Sequence, residues 1–301
     1  MYNDNLVRTR LRIPYQAQSW ILALPYLLGA LFLIALPALV TFVFAFMQYD
    51  GISTAAWAGL DNFLRLWDSP YARISLRNTL IFVLLAVPLR LLGALLMGLF
   101  LHHKGRIFSL YRAAVYIPTI IPEVAYALIW LWIFNPLYGP LNLALNWLSL
   151  PAPAWLAEPG TARLSIIIMA AFQIGDGLVL VFAGLQTIPR RLYESARVDG
   201  ASAWQNFRHI TLPLLTPWLL LLTFRDTIVS LQNTFTPSFT LTYGGPYYAT
   251  TFAPLLIYEY AFDFNDYGMA AAFLVISYLV LGLLVIGILN LIEGQNKVSD
   301  V

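Results

Sequence analysis

Residues 194–213 read ESARVDGASAWQNFRHITLP, and this polar segment lies between two strongly apolar runs. It carries acids at Glu194 and Asp199 and bases at Arg197 and Arg208. A charge at mid-bilayer costs about 2.5–3.5 kcal/mol, so the segment is predicted to lie outside the hydrocarbon. A polar segment between membrane spans is accessible to soluble proteins, which makes it the first candidate for a functional contact.

The composition is typical of an integral membrane protein. The chain has 301 residues, of which 60% are hydrophobic and 11% are charged, and its mean hydropathy is +0.72. Soluble domains carry about 25% charged residues, so nearly all of this chain is predicted to form one membrane domain. The net charge of +2 gives no reason to expect nucleic acid. The lack of cysteine excludes disulfides and Cys-based metal sites.

Six apolar runs are long enough to cross a bilayer as helices, which takes about 20 residues. We place them near residues 21–47, 79–101, 113–135, 164–188, 212–236 and 268–292. The predicted fold class is an all-α membrane protein with one six-span domain over 21–292, between tails at 1–20 and 293–301. The first run is too long for a signal-peptide core and is interpreted as a retained helix. Prolines in or near the runs are expected to kink the helices, at Pro25, Pro37, Pro88, Pro118, Pro122 and Pro217.

Basic residues determine the predicted orientation of the spans. Eleven Lys and Arg residues flank the six runs on one side, whereas four flank them on the other. The richer side includes Arg8, Arg10 and Arg12, the connection around Lys104, the 194–213 segment and Lys297. Both termini and the 194–213 segment are therefore predicted to be cytoplasmic.

Five ionisable side chains fall inside the predicted spans, namely Arg90, Glu123, Asp176, Arg225 and Asp226. Because lone charges are costly in lipid, each is expected to face protein, water or a partner. Two interpretations stay open here. The charges form either a polar pathway at the midplane, or structural ion pairs between helices or with a neighbouring subunit.

Hydroxyl and amide side chains recur over residues 226–236, in the second half of the fifth run. With Phe235 and Phe239 as apolar platforms, they suit a sugar, whose hydroxyls need hydrogen bonds and whose C–H faces need apolar surface. The alternative is that these polar groups hold helices together. The predicted substrate path consists of Asp176, Gln232, Asn233, Phe235 and Tyr243.

Residues 189–208 are predicted to form one helix, or two short helices joined near Gly200. Pro189 suits a first helical turn, where its missing N–H has no partner, and Gly200 permits a turn. The side chains expected to turn toward the membrane domain are Leu192, Ala196, Ala203 and Phe207, with Trp204 beside them. On physical grounds alone, an ordinary amphipathic interfacial helix is the alternative to a docking helix.

The spacing of this segment resembles the signature of permease subunits of ABC importers: Glu-Ala-Ala, three residues, Gly, nine residues, Ile-x-Leu-Pro. Here it reads Glu194-Ser195-Ala196, then Gly200, then Ile210-Thr211-Leu212-Pro213. The departure at Ser195 exchanges one small residue for another and is not expected to prevent docking. By this resemblance, coupling to an ATPase is assigned to Glu194, Ser195, Ala196, Asp199, Gly200, Ile210, Leu212 and Pro213.

Other stretches resemble the first of the two permeases in sugar importers of the maltose and glycerol-phosphate type, in its six-span form. These stretches are Gly59-Leu60-Asp61-Asn62-Phe63, Asn78-Thr79-Leu80, Leu241-Thr242-Tyr243-Gly244-Gly245-Pro246 with Thr250, Tyr258 and Ala261-Phe262, and Gly268 with Ala270-Ala271-Ala272. The resemblance thus covers most of residues 20–292.

This resemblance implies a type I importer permease fold and a shared mechanism. An extracytoplasmic binding protein would deliver the sugar, a second homologous permease would complete the pathway, and two ATPase subunits would receive the helix over 194–207. The chain has no Gly-x-x-x-x-Gly-Lys-Ser/Thr phosphate loop. ATP and Mg are therefore expected on the partner ATPase, with no cofactor bound by this chain. The implied location is the bacterial or archaeal cytoplasmic membrane.

Two other classes of protein fit the sequence less well. An ion-coupled secondary transporter of a small polar solute would use the intramembrane acids, but it gives no reason for the spacing within 194–213. A membrane enzyme would need His, Asp or Ser clustered at one depth, and none is evident. His102, His103 and His209 lack the spacing and the nearby carboxylates of a metal site, so no metal is expected.

Overall fold

The computed structural model describes residues 15–103 and 105–298. Four basic residues used in the orientation argument, Arg8, Arg10, Arg12 and Lys104, lie outside the described residues, as does the side chain of Lys297. Within the predicted tails, residues 15–20 and 293–298 are helical, so the helices extend beyond the predicted bounds of 21 and 292. The cytoplasmic location of the tails remains a prediction from the sequence.

The first half of the chain forms two spans and a broken third. The first span consists of α1 (Tyr15–Ala30), a π-helical stretch (Leu31–Ala35) and α2 (Leu36–Phe44). A short antiparallel pair, β1 (Met47–Gln48) with β2 (Ala56–Trp57), then precedes α3 (Asp61–Asp68) and the second span, α4 (Pro70–Leu101). Next come α5 (Arg106–Ile120), α6 (Glu123–Ile133) and a short connecting helix, α7 (Pro140–Trp147).

The second half contains the other three candidate spans, the polar segment between the fourth and fifth, and a short helix before the sixth. The helices are α8 (Pro159–Ala171), α9 (Gly175–Thr187), α10 (Arg190–Val198), α11 (Ala203–Asn206), α12 (Leu212–Asn233), α13 (Phe235–Pro237), α14 (Ala253–Tyr258) and α15 (Tyr267–Val298). Three π-helical stretches, Phe207–Thr211, Ser238–Thr242 and Glu259–Asp263, continue α11, α13 and α14.

The candidate spans lie near the predicted places, and they number six if each of two bent helix pairs is taken as one span. Within the described part of the chain, four helices are long and apolar enough to cross a membrane alone: Gln18–Phe44, Pro70–Leu101, Ala203–Thr242 and Tyr267–Asn290. The other two spans are the bent pairs α5 with α6, at 103°, and α8 with α9, at 43°. The fifth span also begins earlier than the predicted residue 212, because α11 runs into it without a break.

The sharp break in the third span has a local cause. Ile121 is extended, with ψ 132°, immediately before Pro122. The ring of a proline disfavours helical backbone in the residue before it, so α5 ends there and α6 starts in a new direction. The expectation that prolines only kink these helices was therefore wrong at Pro122. Pro25, Pro88 and Pro217 do lie inside continuous helices.

The long helix α4 is the centre of the fold. Its 32 residues correspond to about 48 Å, and it packs against α8, α9, α12 and α14. A close approach at Gly177 brings three spans together. A Cβ added there would lie 2.9 Å from the Ala94 Cβ and 3.2 Å from Leu222. This contact lies within a small apolar cluster that includes Val181, whereas the large apolar core joins α4 to α6, α8, α14 and α15.

Two buried asparagines explain the sequence motifs at 59–63 and 78–80. Asn62 donates to the backbone carbonyls of Ala45 (3.0 Å) and Met47 (2.9 Å), which ties α3 to the end of the first span. Asn78, inside α4, donates to the carbonyls of Tyr248 (2.7 Å) and Thr251 (3.2 Å). Buried carbonyls need such partners, so both asparagines anchor loop backbone to the membrane core.

We expect Asn78→Ala to loosen the loop over residues 243–252 and to lower the free energy of unfolding by about 1–3 kcal/mol. Two carbonyls lose a donor, and an unpaired buried polar group costs that much. Hydrogen exchange of this loop, together with thermal unfolding in detergent, measures the effect. The exposed Asn146→Ala is the matched control and should change neither. Unchanged exchange in Asn78→Ala would show that the loop is held by other contacts.

Candidate coupling segment and transport pathway

The polar segment singled out in the sequence forms two short helices rather than one. The helix α10 ends at Val198, and Gly200 follows in the left-handed conformation with φ +76°. The Ala201 N–H then donates to the Ala196 carbonyl at 2.9 Å, which closes the turn as glycine commonly does after a helix. Ser202 starts α11 with a capping box, in which it exchanges hydrogen bonds with Gln205 at 2.8 and 3.3 Å.

The predicted coupling residues divide into an exposed group and a half-buried group. Glu194, Ser195, Asp199 and Gly200 are exposed on α10 and its turn. Glu194 and Arg197 are three residues apart on α10, yet within 15–103 and 105–298 neither takes part in an ion pair. The half-buried members are Ala196, Ile210 and Leu212, and Pro213 is exposed at the start of α12.

The face of the segment that packs against the membrane domain matches the predicted one only in part, with Ala196 and Phe207 half-buried as expected. Leu192 and Ala203 are exposed, and Trp204 is 65% exposed, so the expectation was wrong for these side chains. Instead Tyr193 points inward, and its hydroxyl lies 2.8 Å from the Thr211 hydroxyl. The turn at Gly200 resets the helical phase, so one periodicity cannot describe both helices. Tyr193 thereby links α10 directly to the base of the fifth span.

Four of the five intramembrane charges form one connected network. Asp226 lies 3.4 Å from the Arg90 Nε and 3.1 Å from an Arg225 nitrogen, and Arg225 also pairs closely with Asp176. Arg90 donates further to the Ser230 hydroxyl at 2.6 Å. The network therefore connects α4, α9 and α12 through alternating charges. Within the described residues, Glu123 has no cationic partner and instead accepts a hydrogen bond from Thr236 at 2.9 Å.

The members of this network differ in how far they are exposed. Arg90 is only 4% exposed and Asp226 only 5%, so their contact is a buried structural pair. The side chains of Arg225 and Asp176 are more than one-third exposed. All four charges line one cavity of about 120 Å³, together with Glu123 and Asn233, and the outer pair, Arg225 with Asp176, is the more exposed part of its lining.

The two helix breaks border the same cavity. Thr119 and Ile121 line it at the break of the third span, and Gln173 and Ile174 line it at the break of the fourth. Irregular backbone at membrane depth is tolerated where it is buried in protein or lines a cavity, because its polar groups are satisfied there. Thr119, for example, accepts the Gly175 N–H at 3.1 Å. Gln173 was not among the predicted path residues, although an amide inside an apolar run could have indicated it.

The structure separates the predicted substrate-path residues into three places. Asp176 and Asn233 line the polar cavity, whereas Gln232 and Phe235 line a second, mainly apolar cavity of about 320 Å³ between α12, α14 and α15. Consecutive residues on a helix point about 100° apart, which is why Gln232 and Asn233 diverge. Tyr243 lies beyond both cavities, and its hydroxyl donates to Asp263 at 3.2 Å.

The aromatic platforms expected beside the path partly cover one another. The rings of Phe235 and Phe239 stack at 5.5 Å, and Tyr258 packs against both at 5.3 and 5.7 Å. Phe239 also contacts Tyr243 at 5.1 Å. Desolvation, and then the hydrogen bond to Asp263, raise the pKa of Tyr243, so this phenol stays neutral at physiological pH. The rings thus form a continuous aromatic surface from the second cavity to the adjacent loop.

A family model for the binding-protein-dependent transport system inner membrane component matches residues 90–297. The chain belongs to this family. The matched region contains the whole 194–213 segment, the ion-pair network and both cavities. The protein is therefore a multi-pass membrane component of a transport system.

Relatives in this family cover most of the chain. The probable ABC transporter permease protein YesP of Bacillus subtilis (strain 168) is 34% identical over 254 residues, which is 82% of this chain and 81% of the relative. The trehalose/maltose transport system permease protein MalF of Thermococcus litoralis is 32% identical over 278 residues, with 92% and 94% covered. The lactose transport system permease protein LacF of Rhizobium radiobacter is 31% identical over 263 residues, with 85% and 87% covered.

A solved structure shares the fold. The chain matches a subunit in the crystal structure of a bacterial alginate ABC transporter in complex with an alginate pentasaccharide-bound periplasmic protein. The TM-score is 0.77 at 24% identity, over 89% of this chain and 91% of that one. The family match and this likeness confirm the predicted type I importer permease fold.

Proposed function

We propose that this chain is the transmembrane subunit of an ATP-driven importer, which carries a sugar or sugar derivative across the cytoplasmic membrane of a bacterium or archaeon. The observation that carries the proposal is the exposed helix and turn at 190–202 in a member of a transport-component family. Relatives named for trehalose, maltose and lactose transport support the sugar. Amide, hydroxyl and aromatic groups around the two cavities support it as well.

In the proposed complex, ATP hydrolysis belongs to other subunits. Two ATPase copies hold ATP and Mg and receive α10, while this chain binds no cofactor. A second homologous permease completes the pathway, and an extracytoplasmic binding protein delivers the sugar to the loops opposite α10. The lack of a phosphate-loop motif in the chain supports this division of roles.

The contacts of α10 suggest how ATPase movement reaches the pathway. A displacement of α10 passes through the Tyr193–Thr211 contact at 2.8 Å to the base of α12. The same helix carries Arg225 and Asp226, whose ion pairs hold α4 and α9 around the polar cavity. Tilting α12 would therefore strain the outer Arg225–Asp176 pair first, because it is the more exposed contact.

The test is purification and uptake with and without the partners. The ATPase encoded beside this chain should co-purify with it, and reconstituted vesicles should accumulate labelled maltose, trehalose or lactose only with the complete complex and ATP. ATP-independent accumulation by this chain alone, driven by an ion gradient, would identify a secondary transporter and overturn the proposal.

Two neighbouring amides distinguish which cavity belongs to the sugar path. We expect Asn233→Ala to raise the sugar concentration for half-maximal uptake by about three- to tenfold, since one hydrogen bond contributes about 0.5–1.5 kcal/mol. Gln232→Ala should have little effect if the polar cavity is the path, because that side chain faces the other cavity. The opposite result would move the path to the aromatic cavity. Unchanged kinetics in both variants, for every sugar tried, would remove both residues from it.

A further inference from the structure

The largest cavity described lies behind the coupling helix and has a basic lining. It encloses about 740 Å³ between the end of α4, the start of α5, the end of α9 and the inner face of α10. Arg112, Arg190 and His102 line it, and no Asp or Glu does. The remaining wall includes apolar side chains such as Leu99, Phe182 and Leu185. The cavity therefore combines positive charge with apolar surface at the ends of membrane-spanning helices.

The two guanidinium groups in this cavity are available for an anion. Arg112 is held in place by the Phe108 carbonyl, 3.2 Å from its Nε, and its guanidinium carbon lies 5.7 Å from the centre of the Phe182 ring. The His102 ring lies 6.5 Å from the same phenyl ring. Throughout the described chain, neither Arg112 nor Arg190 forms an ion pair, even though Glu194 is one turn from Arg190.

We propose that this cavity binds the phosphate headgroup of an anionic phospholipid from the cytoplasmic leaflet. Basic pockets between membrane helices on the cytoplasmic side attract such headgroups, and guanidinium groups bind phosphate oxygens in a bidentate manner. The apolar wall favours a lipid over a free phosphate ion, because acyl chains can cover Leu99 and Leu185 while the headgroup pairs with the two arginines.

The position of the cavity gives the lipid an effect on transport, and this part rests on the proposed function. Arg190 and Tyr193 belong to α10, so a bound headgroup braces the coupling helix against the membrane domain. A braced α10 moves as a unit with the membrane domain, so more of the ATPase movement reaches α12. Anionic lipid should therefore raise the amount of sugar taken up per ATP hydrolysed.

The experiment reconstitutes the complete transporter in nanodiscs of phosphatidylcholine with or without phosphatidylglycerol. Native mass spectrometry counts the phosphatidylglycerol molecules retained, and titration gives their affinity. We expect Arg112→Ala with Arg190→Ala to lose one tightly bound lipid and to weaken its binding by roughly thirtyfold, since two cations are removed. Arg112→Lys with Arg190→Lys should keep much of the binding. The matched control is Arg106→Ala with Arg208→Ala, two exposed arginines that do not line the cavity.

Lipid binding is measured independently of transport, so the site and the proposed function can fail separately. Equal phosphatidylglycerol retention by the cavity variant and the control variant would overturn the site. Displacement of the lipid by inorganic phosphate or glycerol 3-phosphate would reassign the cavity to a soluble phosphate. Retention of the lipid by the wild type, without any effect on uptake per ATP, would overturn the bracing role and leave the site standing.

Discussion

Replacing Gly200 by Val is expected to lower sugar uptake by at least about tenfold and to release the ATPase, while the protein stays in the membrane. Gly200 has φ +76°, and a β-branched residue adopts that conformation only at a cost of about 1–3 kcal/mol. No atom lies within 4 Å of the Cβ that a side chain would add, so the effect arises from the backbone. A relaxed turn would rotate α10 and displace Glu194 and Asp199 from the surface offered to the ATPase. Co-purification and uptake measure both effects.

Two further variants make this prediction specific. Gly200→Asn should retain most of the coupling, because Asn tolerates the left-handed conformation better than other residues with side chains. Gly59→Val introduces similar strain at φ +58°, also in open space, but in the loop before α3, so the ATPase should still associate. If Gly200→Val keeps both the ATPase and uptake, the coupling role assigned to this turn is wrong.

Removing Asp226 is expected to have the largest effect on stability. Asp226→Ala leaves the Arg90 guanidinium, in a side chain only 5% exposed, without its counter-charge at 3.4 Å. Breaking a buried pair by removing one partner costs about 3–5 kcal/mol, because a charge stays buried and uncompensated. The yield of folded protein and the midpoint temperature of its thermal unfolding in detergent should both fall.

The double variant Arg90→Met with Asp226→Leu tests the cause. It removes both buried charges at similar volume, so most of the lost stability should return, while Arg225 still pairs with Asp176. Arg65→Ala is the control. It breaks the exposed Arg65–Asp266 contact at 2.9 Å and should cost less than about 1 kcal/mol. Equal destabilisation by the single and double variants would show that the pair is not the stabilising unit.

Much of the site was predictable in outline but not in detail. The spacing from Glu194 to Pro213 located the candidate coupling segment, and the charges of Arg90, Asp176 and Asp226 predicted a polar interior between the helices. The packing face of the segment was not predictable, because the turn at Gly200 changes the helical phase. Gln232 and Asn233 were predicted to line one path, but they line different cavities because adjacent residues on a helix point in different directions.

The sequence alone predicted six membrane spans, a polar segment outside the bilayer and the family that the spacing resembles, and the family is confirmed. Hydropathy and charge act locally, so these properties can be read one segment at a time. Which distant charges meet depends on the tertiary structure, as the Arg90–Asp226 and Arg225–Asp176 pairs show. The breaks near Pro122 and Gln173 lie at a cavity lined by residues from four spans, and packing between α4 and α12 brings Arg90 to Asp226. Such pairings depend on which face each helix turns inward, and packing between distant segments decides that.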